Sequence, residues 1–338
     1  MTTAVLASIS GPELSQEEVK LLEKLQPVGV SLFGRNIINR QQVRQLTSNI
    51  KDILGQNAIV AVDQEGGRVR RMGEPEWRSY ASQYVLGQLP LDITRAHAIL
   101  IAEDLHEAGI NFNYAPVLDM AHDYTHEVLK SRCFSSCISE HGKVMIDTYC
   151  RNGICPCIKH IPGHGGAQND PHLGLPTVEK LLQEDLQPFI DNSKAPAAMT
   201  AHIVIPEIDE KPITMSSKAI KNIIRRQIGF DGLLISDAIE MRALQGSIAE
   251  RAENALAAGC DIVCYCGGKM SELSELLELN PKLSLMAQKR LNSVYDIIGR
   301  SVCESVQYAD YAAMVGTIEA YKEIYDATEV LNQIKASK

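Results

Sequence analysis

Short apolar runs alternate with longer amphipathic segments along most of the chain. Eight of these runs are rich in β-branched residues and nearly continuously apolar, which is typical of parallel strands covered by helices. The predicted strands are Val5–Gly11, Val28–Gly34, Ala58–Gly66, Asn111–Met120, Ile154–His160, Ala197–Ile205, Gly232–Ile239 and Asp261–Gly267.

The segments between the strands carry the signals of helix ends. Ser15 with Glu18, and Ser247 with Glu250, have the spacing of a capping box, in which each side chain satisfies a free amide of the first turn. Ser217 is predicted to open a further helix. A glycine, the usual left-handed stop, follows three of the predicted helices, at Gly109, Gly229 and Gly259.

Eight strands with helices between them predict an α/β fold, a (β/α)₈ barrel of the TIM type. No GxGxxG follows the first strand, which weakens the alternative of an open dinucleotide-binding sheet. Residues 1–285 are expected to form the catalytic barrel as a single domain. Residues 286–338 are expected to form a C-terminal helical extension that packs on the barrel or at an interface.

Composition narrows the possible partners. The chain has 338 residues, of which 45% are hydrophobic, and a net charge of −9, which argues against nucleic acid and against an anionic membrane surface. No apolar run approaches the roughly 20 residues of a spanning helix. The N-terminal segment lacks the basic region of a signal peptide, so a cytoplasmic protein is expected.

Nine cysteines are scattered through the chain. Their spacing, as at Cys150, Cys155 and Cys157, matches no zinc pattern, so buried reduced thiols and no metal site are expected.

The predicted strands become polar at their carboxyl ends. Since those ends meet at one mouth of a barrel, where active sites of this fold lie, the side chains there are expected to form an active site. They are Asp63, Asp119, Lys159, His160, His202 and Asp237.

Four motifs carry a resemblance to a known family. VDQEGGRV at 62–69, KHIPGHG at 159–165, DPH at 170–172, and GFDG at 229–232 with Ser236-Asp237 beyond it occur in order between about Ser31 and Leu244. They closely resemble glycoside hydrolase family 3, in its single-domain bacterial branch of β-N-acetylhexosaminidases of the NagZ type. KHxPGHG followed by DxH is the most specific part.

The resemblance implies that Asp237 is the catalytic nucleophile. A carboxylate below the anomeric carbon can form a glycosyl-enzyme that water later hydrolyses. The competing interpretation is a helix N-cap after the seventh strand. The family often has a second Asp directly after this one, where this chain has Ala238.

The resemblance also implies that His172 is the acid/base and that Asp170 orients it. An imidazole titrates near neutral pH, so it can donate a proton to the leaving oxygen and later take one from water. A loop histidine is otherwise usually a surface residue. Pro171 stands where the family often has Ser, and Gly166-Ala167 where it often has Asp-Thr, which puts the loop's dynamics in question.

By the same resemblance, a third group binds the hydroxyls and the N-acetyl group of the terminal sugar. The alternative for these side chains is structural or surface ion pairing. Lys159 and His160 would face opposite ways on a regular strand, so both reach a ligand only if the strand ends there. The group is Asp63, Arg71, Arg132, Lys159 and His160.

Two further histidines and the single tryptophan leave two interpretations open. His164 either supports the PGHG loop or binds ligand. His202 either supports the site or contacts Asp237 or the sugar. Trp77 is expected to pack rather than to stack on a sugar.

The resulting hypothesis is a retaining, exo-acting β-N-acetylglucosaminidase that needs no cofactor. By resemblance, its substrate is N-acetylglucosamine linked to 1,6-anhydro-N-acetylmuramic acid, with or without peptide, in peptidoglycan recycling. A phosphorylase, a β-glucosidase-like hydrolase and a non-catalytic sugar-binding sensor are the alternatives. No nucleic-acid or membrane partner is expected, and the oligomeric state is open.

Overall fold

A computed structural model describes residues 2–167, 176–241 and 244–317. Eight parallel strands close into a barrel in which each strand pairs with the next and the last pairs with the first. The predicted (β/α)₈ barrel is therefore confirmed. The strands are β1 Thr3–Ser8, β2 Pro27–Leu32, β3 Ile59–Val62, β4 Phe112–Asn113, β5 Cys155–Ile161, β6 Ala197–Thr200, β7 Leu233–Ala238 and β8 Ile262–Cys264.

Helices surround the barrel, and within the described ranges none of them is long and apolar enough to cross a membrane. Short 3₁₀ turns also occur, and the short helix Ser217–Ala219 continues directly into a π-helical stretch, Ile220–Gln227. The helices are α1 Gln16–Leu25, α2 Arg40–Leu54, α3 Gln83–Leu86, α4 Leu91–Glu107, α5 Glu127–Lys130, α6 Ile138–Arg151, α7 Gln183–Asp191, α8 Ser217–Ala219, α9 Ile248–Ala258, α10 Met270–Leu279, α11 Leu285–Ile298 and α12 Tyr308–Val315.

The helix ends follow the sequence signals closely. The capping boxes at Ser15 and Ser247 are both present, and Gly259 ends α9 with a left-handed φ of 118°. The helix predicted to open at Ser217 does begin there, and Ser216 caps it, since its hydroxyl accepts a hydrogen bond from the Ala219 amide at 3.0 Å. The predicted start of this helix is therefore confirmed.

Several strands are shorter than the apolar runs that predicted them. The fourth run was expected to be a strand from Asn111 to Met120, but β4 ends at Asn113. Pro116 has no amide hydrogen to donate to a neighbouring strand, so the ladder is interrupted there. Pairing resumes only as an isolated bridge between Val117 and Lys159.

The amino end of the barrel is closed by α11. Its apolar residues Leu291, Val294 and Ile297 pack into the same cluster as the side chains that fill the barrel interior. Arg290 on this helix binds Asp261, which directly precedes β8, at 2.9 Å. The carboxyl ends of the strands therefore face the opposite side, where the candidate site lies.

Helix α12 packs against the loop that follows β3. The hydroxyl of Tyr311 accepts a hydrogen bond from the Ala81 amide at 2.9 Å and lies 2.9 Å from Nδ1 of His97. The Tyr308 hydroxyl donates to the carbonyl of Ser79 at 2.8 Å. This C-terminal segment thus supports a loop that carries part of the site. That residues 286–338 as a whole form the extension stays a prediction.

Candidate active site

A cavity of about 530 Å³ opens at the carboxyl ends of the strands. This volume suits a small ligand such as a sugar. Six of the residues that the sequence suggested as catalytic or sugar-binding line it, and so do His164, Glu240 and a set of soft apolar side chains. The six are Asp63, Arg71, Arg132, Lys159, His160 and Asp237.

Asp63, directly after β3, joins two cations of the cavity wall. Its carboxylate binds Nζ of Lys159 at 2.7 Å and Nη2 of Arg71 at 3.0 Å. Burial alone would raise the pKa of Asp63, but the two cations outweigh that effect and hold it well below its ordinary value. The group is therefore a fixed acceptor at neutral pH.

Glu65 is a member of this network that sequence reasoning missed. It is 1% exposed, takes a two-pronged contact from Arg132 at 2.8 and 2.9 Å, and accepts Nζ of Lys159 at 2.6 Å. Its place in the VDQEGGRV motif was the available signal. The partner that makes it informative, Arg132, is 67 residues away along the chain.

The charges of this network hold one another in the ionised state. Burial would raise the pKa of Glu65, but Arg132 and Lys159 lower it to about 2. Burial would lower the pKa of Lys159, but Asp63 and Glu65 raise it above its ordinary value. The wall thus presents permanent charges that need no rearrangement when a ligand binds.

His160 and His164 share one carboxylate, that of Asp119. Nδ1 of His160 lies 2.6 Å from Asp119, which also accepts the His164 amide at 2.8 Å. Nδ1 of His164 is buried and has no hydrogen-bond partner within the described ranges. Burial, with the nearby His160, lowers the pKa of His164 to about 4, so this ring is neutral at pH 7.

Lys159 and His160 both line the cavity although they are adjacent. β5 ends at Ile161, one residue after His160 and directly before Pro162. Pairing between β5 and β6 shifts register between Ile158 and Ile161, so regular alternation does not hold at these two residues. The peptide bond between them is cis.

Asp237 lies near the end of β7 and is only partly buried. Its carboxylate accepts the amide of Ala238 at 2.7 Å. Burial would raise the pKa of Asp237, but His202, His160, that amide and Lys159 together lower it. An ionised carboxylate with no ion pair to Lys or Arg in the described part of the chain therefore faces the cavity.

His202 supports β7 and does not line the cavity. Its ring joins the hydroxyl of Thr214, at 2.7 Å, to the carbonyl of Ala238, at 3.0 Å. Burial lowers the pKa of His202, although the nearby Asp237 opposes this effect. Because a carbonyl can only accept, a proton lies on Nε2. Trp77 also lies outside the cavity, 5% exposed in the outer core.

Asp170 and His172 lie outside the described residues, in the gap between 167 and 176. Within the described ranges, no group of three or more His, Cys, Asp or Glu side chains is arranged to hold a metal ion. All nine cysteines are described, and each is a free thiol, but the expectation that they are buried was wrong for Cys137 and Cys303, which are exposed.

Comparison with known proteins decides the family. Residues 3–298 match the glycosyl hydrolase family 3 N terminal domain, which includes every strand and α11. The chain belongs to glycosyl hydrolase family 3. It is accordingly a glycoside hydrolase that acts on a carbohydrate.

Named relatives cover nearly the whole hydrolase. A β-hexosaminidase of Mannheimia succiniciproducens is 32% identical, over 87% of this chain and 90% of its own length. One of Bordetella avium is 30% identical, over 82% and 85%. The structure of NagZ from Neisseria gonorrhoeae in complex with N-trifluoroacetyl-D-glucosamine superposes with a TM-score of 0.80, at 30% identity over 96% of both chains.

Proposed function

We propose that this hydrolase is a retaining, exo-acting β-N-acetylhexosaminidase that removes a terminal N-acetylglucosamine. The observation that carries the proposal is the ionised carboxylate of Asp237 on the wall of a sugar-sized cavity. The relatives named β-hexosaminidase, which match over most of both chains, support the substrate class.

In this proposal Asp237 attacks the anomeric carbon while the bond to the leaving oxygen breaks. His172 gives its proton to that oxygen, so the aglycone leaves as an alcohol and the sugar stays on Asp237 as an ester. Neutral His172 then takes a proton from water, whose oxygen attacks the anomeric carbon and frees Asp237. Asp170 orients the imidazole and stabilises its charged form.

The remaining charged wall binds the sugar. Asp63 has an exposed edge and offers its oxygens to ligand hydroxyls, while Arg71, Lys159 and His160 supply donors. Arg132 positions Glu65 and Lys159 through its two-pronged contact and also reaches the cavity. Such polar groups discriminate strongly, because a missing partner leaves a buried charge unpaired.

We further propose that the natural substrate is N-acetylglucosamine linked to 1,6-anhydro-N-acetylmuramic acid, with or without peptide, and that the enzyme works in cytoplasmic peptidoglycan recycling. The family resemblance of the motifs supports this assignment. Assaying synthetic and natural muropeptides side by side would establish the preference for the aglycone.

The decisive test compares wild type, Asp237→Ala and His172→Ala on a chromogenic β-N-acetylglucosaminide. Asp237→Ala should lower kcat by more than about 10³-fold. His172→Ala should cost about 10²- to 10⁴-fold on a natural glycoside and less on an activated leaving group. Asp52→Ala and His106→Ala, both on exposed positions of outer helices, are the matched controls.

Product analysis separates the alternatives. Proton NMR should show the β-anomer of N-acetylglucosamine as the first product. Formation of the sugar 1-phosphate in phosphate buffer would instead identify a phosphorylase. Binding of N-acetylglucosamine without turnover of any substrate would identify a sensor and end the hydrolase proposal.

A further inference from the structure

Glu240 is a second carboxyl group in the cavity, and the proposed reaction does not use it. It follows β7 three residues after Asp237, and its Oε2 accepts the amide of Cys266, beyond β8, at 3.0 Å. This hydrogen bond holds the side chain between the ends of β7 and β8. The carboxyl group is thus fixed in place on the wall next to the candidate nucleophile.

Among the residues that the structure describes, the other oxygen of Glu240 has no hydrogen-bond partner outside its own residue. In the described ranges no Lys, Arg or His forms an ion pair with Glu240, and its hydrogen bond with the Cys266 amide uses Oε2 alone. By contrast, Arg71, Arg132 and Lys159 on the same cavity are paired with Asp63 or Glu65. A half-buried acceptor of this kind needs a donor, and the cavity leaves the ligand to supply it.

The surroundings of Glu240 differ from the rest of the wall. Cys264, Cys266, Met199 and Met241 line the cavity with thiol and thioether groups. Sγ of Cys264 lies 3.5 Å from Sγ of Cys266. Such a surface suits a methyl group, so this corner combines an acceptor for an N–H with a place for apolar carbon. An acetamido group has both features.

The geometry of a pyranose restricts which edge meets this corner. With C1 over Asp237 and the far hydroxyls on Asp63 and Lys159, one flank of the ring carries O5 and C6, and the other carries C2 and C3. The ring oxygen cannot donate a hydrogen bond, and the hydroxyl on C6 can donate one but carries no methyl group. The acetamido group on C2 supplies both an N–H and a methyl, and Glu240 lines the same cavity as Asp237.

We propose that Glu240 is the specificity-determining residue for the 2-acetamido group, accepting its N–H while the Cys264, Cys266, Met199 and Met241 surface receives its methyl. This inference rests on the proposed function. A carboxylate is required, because it accepts the Cys266 amide with one oxygen and the sugar's N–H with the other. The isosteric amide of Gln has one acceptor for these two donors.

The test measures kcat/KM of wild type, Glu240→Gln and Glu240→Ala on 4-nitrophenyl β-N-acetylglucosaminide and on the matching β-glucoside, which has a hydroxyl on C2. Both variants should lose about 10- to 100-fold on the acetamido substrate, the range for a hydrogen bond to a charged group. Change on the glucoside should stay below about 3-fold. Inhibition constants for N-acetylglucosamine and glucose give the same comparison without turnover. Glu278→Gln, exposed on α10, is the matched control.

Three results would overturn the proposal. Equal losses on both sugars would place a ring hydroxyl on Glu240, and wild-type behaviour of both variants would leave it without a ligand contact. Rescue of Glu240→Ala by azide, with formation of a glycosyl azide, would make Glu240 the acid/base. If wild type itself turned over no β-N-acetylglucosaminide, the proposed function would fail first, which distinguishes the two failures.

Discussion

Glu65 and Lys159 form an ion pair of 2.6 Å in which the two side chains are 1% and 2% exposed. The same ammonium binds Asp63, and the same carboxylate binds Arg132. Alternating charges therefore extend across the wall beside Asp237. Buried charges of this kind are costly without partners, so the arrangement holds the donors that a ligand meets in fixed positions.

Replacing Glu65 by Gln should destabilise the fold by about 3 kcal/mol near pH 7, because the pKa of the carboxyl group is lowered from 4.5 to about 2 in the folded state. A lowered folded-state pKa gives stability that is fully present above pH 4.5 and is lost as pH falls towards about 2. The difference in unfolding free energy between wild type and the variant should therefore become smaller below pH 4.5. Urea unfolding at pH 7, 5, 4 and 3 measures this difference.

The control for this experiment is Glu278→Gln, which changes an exposed carboxylate on α10. Its effect should remain within about 0.5 kcal/mol at each pH. If the difference in unfolding free energy between wild type and Glu65→Gln stayed constant from pH 7 to pH 3, the ionised carboxylate would not stabilise the fold.

His202→Ala should act on the turnover step more than on substrate binding. The imidazole holds the carbonyl of Ala238, next to Asp237, and has no surface on the cavity. We expect kcat to fall about 10- to 100-fold, because small displacements of a reacting group are costly, with KM within about 3-fold. Thr214→Val should have a smaller effect in the same direction.

Steady-state kinetics with a chromogenic substrate separates these parameters, and His106→Ala on the exposed end of α4 is the control. A large rise in KM with little change in kcat would show that His202 contacts the sugar, contrary to its position in the structure.

Leu291→Ala should cost about 2–5 kcal/mol in unfolding free energy, because it leaves a cavity under α11 where the side chain is fully buried. Leu285→Ala, on the same helix but 92% exposed, should change stability by less than about 0.5 kcal/mol. Urea unfolding compares the two. Similar effects from both would contradict the packing of α11 on the barrel interior.

The barrel could be predicted because each strand and helix is indicated by residues close together in the sequence. Eight apolar runs with caps and glycine stops between them define strands and helices one at a time, and the parallel order follows from their alternation. The runs overestimated strand length, since Pro116 interrupts pairing without interrupting apolar character. Side chains at strand ends, such as Asp63 and Asp237, could likewise be placed at one mouth.

The ion pairs and hydrogen bonds between side chains of the site could not be predicted, because they depend on contacts across the barrel. Glu65 carried no sign that Arg132 and Lys159 would meet on it. His202 lies just beyond the carboxyl end of β6, as Asp63 does for β3, yet its ring contacts Thr214 and Ala238. Glu240 follows Asp237 closely, but its position depends on the amide of Cys266 from the next strand.

With α11 seated on the amino end and side chains filling the interior, the described part of the barrel exchanges molecules with solvent through the opposite mouth. In the proposed reaction, the terminal sugar on Asp237 therefore lies inside the cavity, and the part of the substrate to which it was attached lies towards the solvent. The aglycone must leave the cavity before water can reach the terminal sugar. The terminal sugar must then leave before another substrate molecule can enter. The part of the substrate nearest the solvent is therefore the first to be released, and the terminal sugar is released last.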